Sequence, residues 1–207
     1  MLIANTPRAF AGGGTPRKGM FYMTSCFKGK FKVTSPRGYR TLGGIKEYHG
    51  GLDLVALEDK NIYAVADGVV DAVPYEKNGF GYYVRQKLAD GRRIYYGHMK
   101  KGSVAVKSGQ QIRKGDLLGI MGSTGKSTGA HTHLELRVPG TTKESLDIAA
   151  FCGIPNVIGM YDASFVTPEI ARENIKEKCG LEEATMNWLG EYKYADDLFL
   201  KLWKAME

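Results

Sequence analysis

Four histidines occur in 207 residues, and they fall in three short motifs: His49-Gly50-Gly51-Leu52-Asp53, Tyr96-Gly97-His98 and His131-Thr132-His133-Leu134-Glu135. Each sits beside glycines at the edge of an expected strand, and none lies near either end of the chain. That clustering points to one shared site. Residues two apart on a strand project to the same face, so His131 and His133 enter one space. His49 and Asp53, four apart at the start of another strand, do likewise. Two imidazoles and a carboxylate form a ligand set that zinc accepts in catalytic sites, where three protein ligands leave a fourth position for water. The histidines left over are then free for proton transfer. Spacing alone does not choose between His131 and His133 as ligand, and a hydrogen-bonded structural cluster is the alternative that needs no metal.

The elements that must position these residues read as short strands between turn signals. Phe31–Ser35, Leu52–Ala56, Ile62–Ala66, Val69–Val73, Tyr82–Leu88, Arg92–His98, Leu117–Met121 and Thr132–Val138 are the expected strands. Asp67-Gly68, Asn78-Gly79, Asp90-Gly91 and Lys114-Gly115 supply the turns, and Asp90-Gly91 between two alternating runs is the clearest hairpin. With no helix between them, these runs predict a mainly β fold: a compact antiparallel sheet or barrel-like sandwich, with a small C-terminal helical extension. Residues 1–22, which contain Ala11-Gly12-Gly13-Gly14-Thr15-Pro16, read as an extended arm, 23–138 as the catalytic domain, 139–165 as a linker and 166–207 as a helical tail. In the tail, Thr167-Pro168-Glu169 and Gly180 bracket one helix. A second carries an apolar stripe of Ala195, Leu198, Phe199, Leu202, Trp203 and Met206.

Composition narrows the classes further. The 27 glycines and 43% hydrophobic residues exclude disorder, collagen and coiled coil. No run approaches the roughly 18–20 apolar residues of a membrane helix, and no signal peptide is legible after Met1. Cys26, Cys152 and Cys179 are odd in number and widely spaced, which gives neither a disulfide framework nor a cysteine zinc site. The net charge of +7 is uneven: residues 1–48 hold nine Lys/Arg against one acid, and residues 141–207 hold seven against twelve. The basic front could meet a polyanion, with anionic wall polymers one candidate and nucleic acid the weaker one. A phosphate-binding loop is suggested by Gly122-Ser123-Thr124-Gly125-Lys126-Ser127, but Ile120 stands where that loop needs glycine and a strand follows where it needs a helix.

The ordered series Gly38-Tyr39-Arg40, His49 through Asp53, Val65-Ala66-Asp67-Gly68-Val69-Val70, Tyr96-Gly97-His98-Met99, Val106 through Asp116, and Gly122 through Glu135 resembles the lysostaphin- and LytM-type zinc metallopeptidases, which are peptidoglycan endopeptidases. The resemblance covers roughly residues 33–138. It implies one zinc per chain held by His49, Asp53 and His133, with His98 and His131 as the catalytic pair that does not bind metal. It also implies a compact antiparallel β domain with its site in a groove. Thr132, Leu134 and Met99 depart from the family's usual side chains without removing a ligand.

The function expected is hydrolysis of peptide bonds in peptidoglycan stem peptides or cross-bridges, at the bacterial cell wall, by a lysin of phage or mobile-element type. No HExxH motif is present, so a glutamate base is not indicated. Glu135 shares the face of His131 and His133 and is a candidate to orient a ligand histidine. Tyr95 and Tyr96 are candidates for a substrate hydrogen bond or for packing, and Gly50 and Gly51 for backbone freedom near the metal. A non-catalytic wall-binding or regulatory relative is the competing class. A biotinyl- or lipoyl-type carrier, suggested by Val106-Lys107-Ser108-Gly109, lacks a lysine set at a hairpin tip beside methionine.

Overall fold

The computed structural model describes residues 24–139, 144–163, 172, 175, 176, 178–191 and 194–206. The eight expected strands all form, here as β1 (Lys30–Ser35), β4 (Leu52–Ala56), β5 (Asn61–Tyr63), β6 (Gly68–Ala72), β8 (Gly81–Lys87), β9 (Arg93–Met99), β11 (Leu117–Ile120) and β12 (Thr132–Arg137). Six more are added: β2 (Gly38–Leu42), β3 (Ile45–His49), β7 (Tyr75–Glu76), β10 (Gln111–Ile112), β13 (Ser145–Leu146) and β14 (Gly159–Asp162). The main sheet runs β10-β6-β8-β9-β12-β4-β1-β14, with β7 on β8 and β13 on β12, and every pairing is antiparallel. Its ends, β10 and β14, are different strands with no pairing between them, so among the described residues the sheet is open rather than a closed barrel. The Asp90-Gly91 turn joins β8 to β9, with Gly91 at φ +86°.

Alternation divides the sheet into two faces. Leu52 and Leu54 of β4, Leu134 and Leu136 of β12, Ile94 and Tyr96 of β9, and Phe31 and Val33 of β1 are all buried in one hydrophobic cluster. Each such aliphatic side chain contributes about 1.5–3 kcal/mol on burial. This core fixes the register, because a one-residue slip would turn every one of these side chains to the wrong face. The residues between them, Asp53, His133, Glu135 and Tyr95, therefore point the other way.

Residues 144–163, inside the expected linker 139–165, pack on this sheet. The helix α1 (Ile148–Cys152) begins where the Asp147 side chain accepts from Ala150 N–H, and Ile148, Ala149, Cys152 and Ile154 are buried in the same core. Strand β14 extends the sheet beyond β1.

The arm 1–22 lies outside the described residues, as does Thr167-Pro168-Glu169. Further on, Arg172, Ile175, Lys176, Lys178 and Cys179 are helical and Gly180 has φ +62°. Helices α2 (Glu183–Gly190) and α3 (Ala195–Met206) follow. Ile175, Met186, Ala195 and Phe199 form a second, smaller core, with Trp203 and Met206 packed against it, while Leu202 is exposed. Cys26 and Cys152 are buried thiols and Cys179 an exposed one. Among the described residues no helix is long and apolar enough to cross a membrane.

Candidate metal centre and groove

The site is assembled from the solvent-facing side of the central strands. Asp53 and His133 are direct cross-strand partners between β4 and β12, so their side chains stand side by side on one face. His49 arrives from the end of β3, whose partner β2 forms with it a separate two-stranded hairpin. His131 precedes β12 in a bridge with Gly122. His98 lies near the end of β9 and is the one described non-glycine residue with positive φ, at +59°. Holding a histidine there costs of order 1–3 kcal/mol, a strain that persists because the loop around it fixes its ring.

Three atoms converge. His49 Nε2 lies 3.1 Å from Asp53 Oδ1, His133 Nδ1 lies 2.9 Å from the same oxygen, and the two nitrogens are 3.0 Å apart. Around an ion with bonds of about 2.0–2.2 Å, tetrahedral ligands stand roughly 3.4 Å from one another, so the triangle needs to open only slightly to hold one.

The other ring nitrogens decide the tautomers. His49 Nδ1–H donates to the Pro36 carbonyl at 2.9 Å and His133 Nε2–H donates to Glu135 Oε2 at 2.9 Å. With those protons placed, two neutral imidazoles would aim lone pairs at each other and at a carboxylate. A positive charge must sit among them. In the bare protein a proton takes that place: burial opposes charge on His133, yet the Asp53 and Glu135 carboxylates outweigh it and raise the pKa to about 9. Burial likewise opposes charge on Asp53 and Glu135. The His133 and His49 bonds nevertheless hold Asp53 well below the usual carboxylate range, and His133 with Arg137 holds Glu135 down to about 2. The donor set therefore fits a divalent cation.

His98 and His131 complete the ring of imidazoles without joining the triangle. His98 Nδ1–H donates to the Thr124 carbonyl at 2.7 Å, and His131 Nδ1–H to the Gly129 carbonyl at 2.8 Å. Their rings are 4.5 Å apart, and His131 Nε2 is 3.6 Å from Asp53 Oδ1. In each neutral ring the lone pair is therefore on Nε2. Burial lowers the His98 pKa to about 4, against the opposing effect of its bond to Thr124.

A shell of fixed partners surrounds these groups. Arg137 donates from Nε to Glu135 Oε1 at 2.9 Å and lies over the Tyr95 ring, 4.5 Å from its centre. Arg40 donates to Asp53 Oδ2 at 3.1 Å, to Ser35 Oγ at 2.7 Å and to Glu47 Oε1 at 2.7 Å, which ties the β2–β3 hairpin to the sheet. Gly50 and Gly51 matter for space, since neither has positive φ. A Cβ at Gly51 would stand 2.4 Å from the Leu134 carbonyl oxygen, and one at Gly50 would stand 2.7 Å from Glu135 Oε1. The whole lies in an open groove of about 1160 Å³, large enough for an extended peptide.

All five residues singled out for chemistry meet in this groove, and Glu135 sits behind His133 as its period of two implies. Tyr95 and Tyr96 are packing residues: Tyr95 stacks among Phe80 and Tyr83, and Tyr96 is fully buried with its hydroxyl donating to Gln86. The parts missed are Arg40 and the carbonyls of Pro36, Thr124 and Gly129. A carbonyl belongs to every residue, so only the path of the backbone reveals these partners. Arg137, two beyond Glu135 on the same face, was open to the same period-two reasoning.

Comparison with known proteins gives a consistent picture. The family described as Peptidase family M23 matches residues 47–147. DD-carboxypeptidase/endopeptidase Mpg of Neisseria meningitidis is 33% identical over 120 residues, covering 57% of this chain and 27% of that protein. A mutant catalytic domain of the prophage-encoded M23 protein EnpA from Enterococcus faecalis is 34% identical, with a TM-score of 0.50 over 56% of this chain and 87% of that one. The catalytic domain of the antimicrobial peptidase lysostaphin from Staphylococcus simulans is 25% identical, with a TM-score of 0.52 over 59% of this chain and 91% of that one. The chain spans about a quarter of the length of the curated relatives it matches.

Proposed function

The chain belongs to peptidase family M23, and on that premise we propose that it is a zinc-dependent endopeptidase hydrolysing peptide bonds in bacterial peptidoglycan, in stem peptides or cross-bridges. The observation that carries this reading is the convergence of Asp53 Oδ1, His49 Nε2 and His133 Nδ1 on one point of an open groove, with two further imidazoles beside them. His49, Asp53 and His133 are the proposed ligands of a single zinc, and Glu135 fixes the His133 ring that would bind it.

An amide resists hydrolysis because water is a poor nucleophile and the tetrahedral oxyanion is costly. Zinc bound here would acidify the attacking water and polarise the scissile carbonyl. The chain's own residues supply the rest. His98 and His131 both line the groove, and with Nδ1–H given to a carbonyl each neutral ring carries its lone pair on Nε2. One of the two accepts the proton of the attacking water, and the pair then steadies the oxyanion and passes a proton to the leaving amine. Because Thr124 and Gly129 accept from the Nδ1–H groups, both rings are held ready before substrate arrives. Arg40 satisfies the second oxygen of Asp53, so that Oδ1 alone is offered inward.

The proposed place of action is the cell wall, reached by a phage or mobile-element route, with the basic residues of the front segment drawn to anionic wall polymers. The catalytic unit of this proposal takes in residues 24–163, and the helices that follow form their own cluster. The test is digestion of purified peptidoglycan by zinc-loaded protein, with the released fragments identified by mass spectrometry. New amino termini within the peptide part are expected. Wall binding with no released peptide would overturn the reading in favour of a non-catalytic relative.

A further inference from the structure

We propose that Lys126 anchors a substrate carboxylate beside the scissile amide, so that the groove selects peptides carrying a free carboxylate there over uncharged ones. This rests on the endopeptidase reading and narrows it to a charged class of substrate. Six acidic or cationic side chains other than histidine line the groove. Five of them are committed to other protein groups: Arg40 to Asp53 and Glu47, and Arg137 to Glu135. Lys126, exposed on the rim, makes no ion pair among the described residues.

What separates it from an ordinary solvated lysine is the backbone that carries it. Lys126 N–H donates to the Gly79 carbonyl at 2.9 Å, and Thr124 Oγ1 donates to the Met99 carbonyl at 2.7 Å while accepting from Tyr82 N–H at 3.0 Å. Gly125 stands between them at φ +78°, where a Cβ would lie 2.2 Å from Gly81 N, so this loop is locked against β8. Ser123 and Ser127 bond to each other at 2.8 Å. These bonds hold the turn in place, while the Lys126 ammonium enters no ion pair among the described residues.

The same loop fixes both histidines that stand outside the metal triangle: the Thr124 carbonyl holds His98 two residues before Lys126, and His131 follows five residues after it. Lys126 and the two histidines thus line one groove and hang from one loop, so a group held by the ammonium shares the groove with the reacting pair. A glycine bridge offers this ammonium only neutral carbonyls, whereas a crosslink with a carboxylate flanking the amide offers a charge-assisted hydrogen bond.

The test uses zinc-loaded protein and two synthetic crosslink peptides that differ only in a carboxylate or a carboxamide beside the scissile bond. Binding is read by calorimetry and cleavage by kcat/KM. Wild type is expected to favour the carboxylate peptide about tenfold in both, K126M to lose the preference, K126R to keep it and K126E to reverse it. Equal binding of the two peptides by wild type, or a preference that survives in K126M, overturns the proposal. Carboxylate-selective binding without cleavage of either peptide would uphold the anchor and overturn the endopeptidase reading.

Discussion

An alanine at position 51 would put a methyl carbon 2.4 Å from the Leu134 carbonyl oxygen and 2.8 Å from His133 Nε2. Ordinary contact begins near 3.4 Å, so either β12 or the turn between β3 and β4 must withdraw by about 1 Å. Both routes disturb the metal triangle. The turn carries His49 two residues before Gly51 and Asp53 two residues after it, and β12 carries His133. The edges of that triangle are 2.9–3.1 Å, so a 1 Å displacement is a third of its size. The methyl also crowds the bond between His133 Nε2 and Glu135, which sets the tautomer that leaves Nδ1 free. Overpacking of this kind costs about 1–3 kcal/mol, or roughly 2–12 °C in a domain of this length. Loss of an orienting partner lowers metal affinity about 10- to 100-fold. Calorimetric melting of chelator-treated Gly51→Ala gives the first quantity and competition with a chromophoric zinc chelator the second. Gly190→Ala, at the end of α2 with nothing within 4 Å, is the control and should be neutral or slightly stabilising. A Gly51→Ala protein with wild-type melting and wild-type zinc affinity would refute the close-approach argument.

Other expectations follow from the same geometry. His98→Ala and His131→Ala are each expected to keep one zinc by elemental analysis while losing about 10²- to 10⁴-fold in peptide cleavage, since both lie outside the triangle. Zinc affinity should rise about tenfold per pH unit from neutrality to about 9 and then flatten, because zinc must displace the proton that His133 holds below that pH; chelator competition across pH measures it. In metal-free protein the sign is opposite. The His133 pKa is raised from 6.5, so its contribution to folding is complete below 6.5 and is lost as pH rises through about 9, which calorimetric melting across that window detects. Glu135→Gln should lower zinc affinity about 10- to 100-fold without removing a ligand, because an amide oriented by Arg137 holds the His133 ring less firmly, again read by competition.

Much of this arrangement is legible in the sequence, for reasons that differ by element. The eight strands expected from the sequence each place apolar side chains in the core or lie between glycine turns, so period two marks them. The β2–β3 hairpin carries no such mark. It pairs only with itself and leaves Tyr39, Ile45 and Tyr48 exposed, so nothing in its burial alternates with the pleat. Its Gly43-Gly44 turn, with both residues at positive φ, was the available signal. Strand β14 is silent for a similar reason, being an edge strand with Met160 exposed. In the site, His131, His133 and Glu135 share a face by strand period, and between His49 and Asp53 the two glycines Gly50 and Gly51 let the β3–β4 turn lie close to β12. Arg40 reaches Asp53 from a hairpin whose position no periodicity fixes, and its part in the site emerges only in three dimensions.

The most direct test is X-ray absorption at the zinc edge on purified protein reconstituted with zinc, alongside His133→Ala. One zinc per chain is expected, with two imidazole nitrogens, one carboxylate oxygen and a solvent oxygen at about 2.0–2.2 Å, and with binding lost in the variant. A zinc site filled by four protein side chains, or one unchanged by loss of His133, would contradict the account.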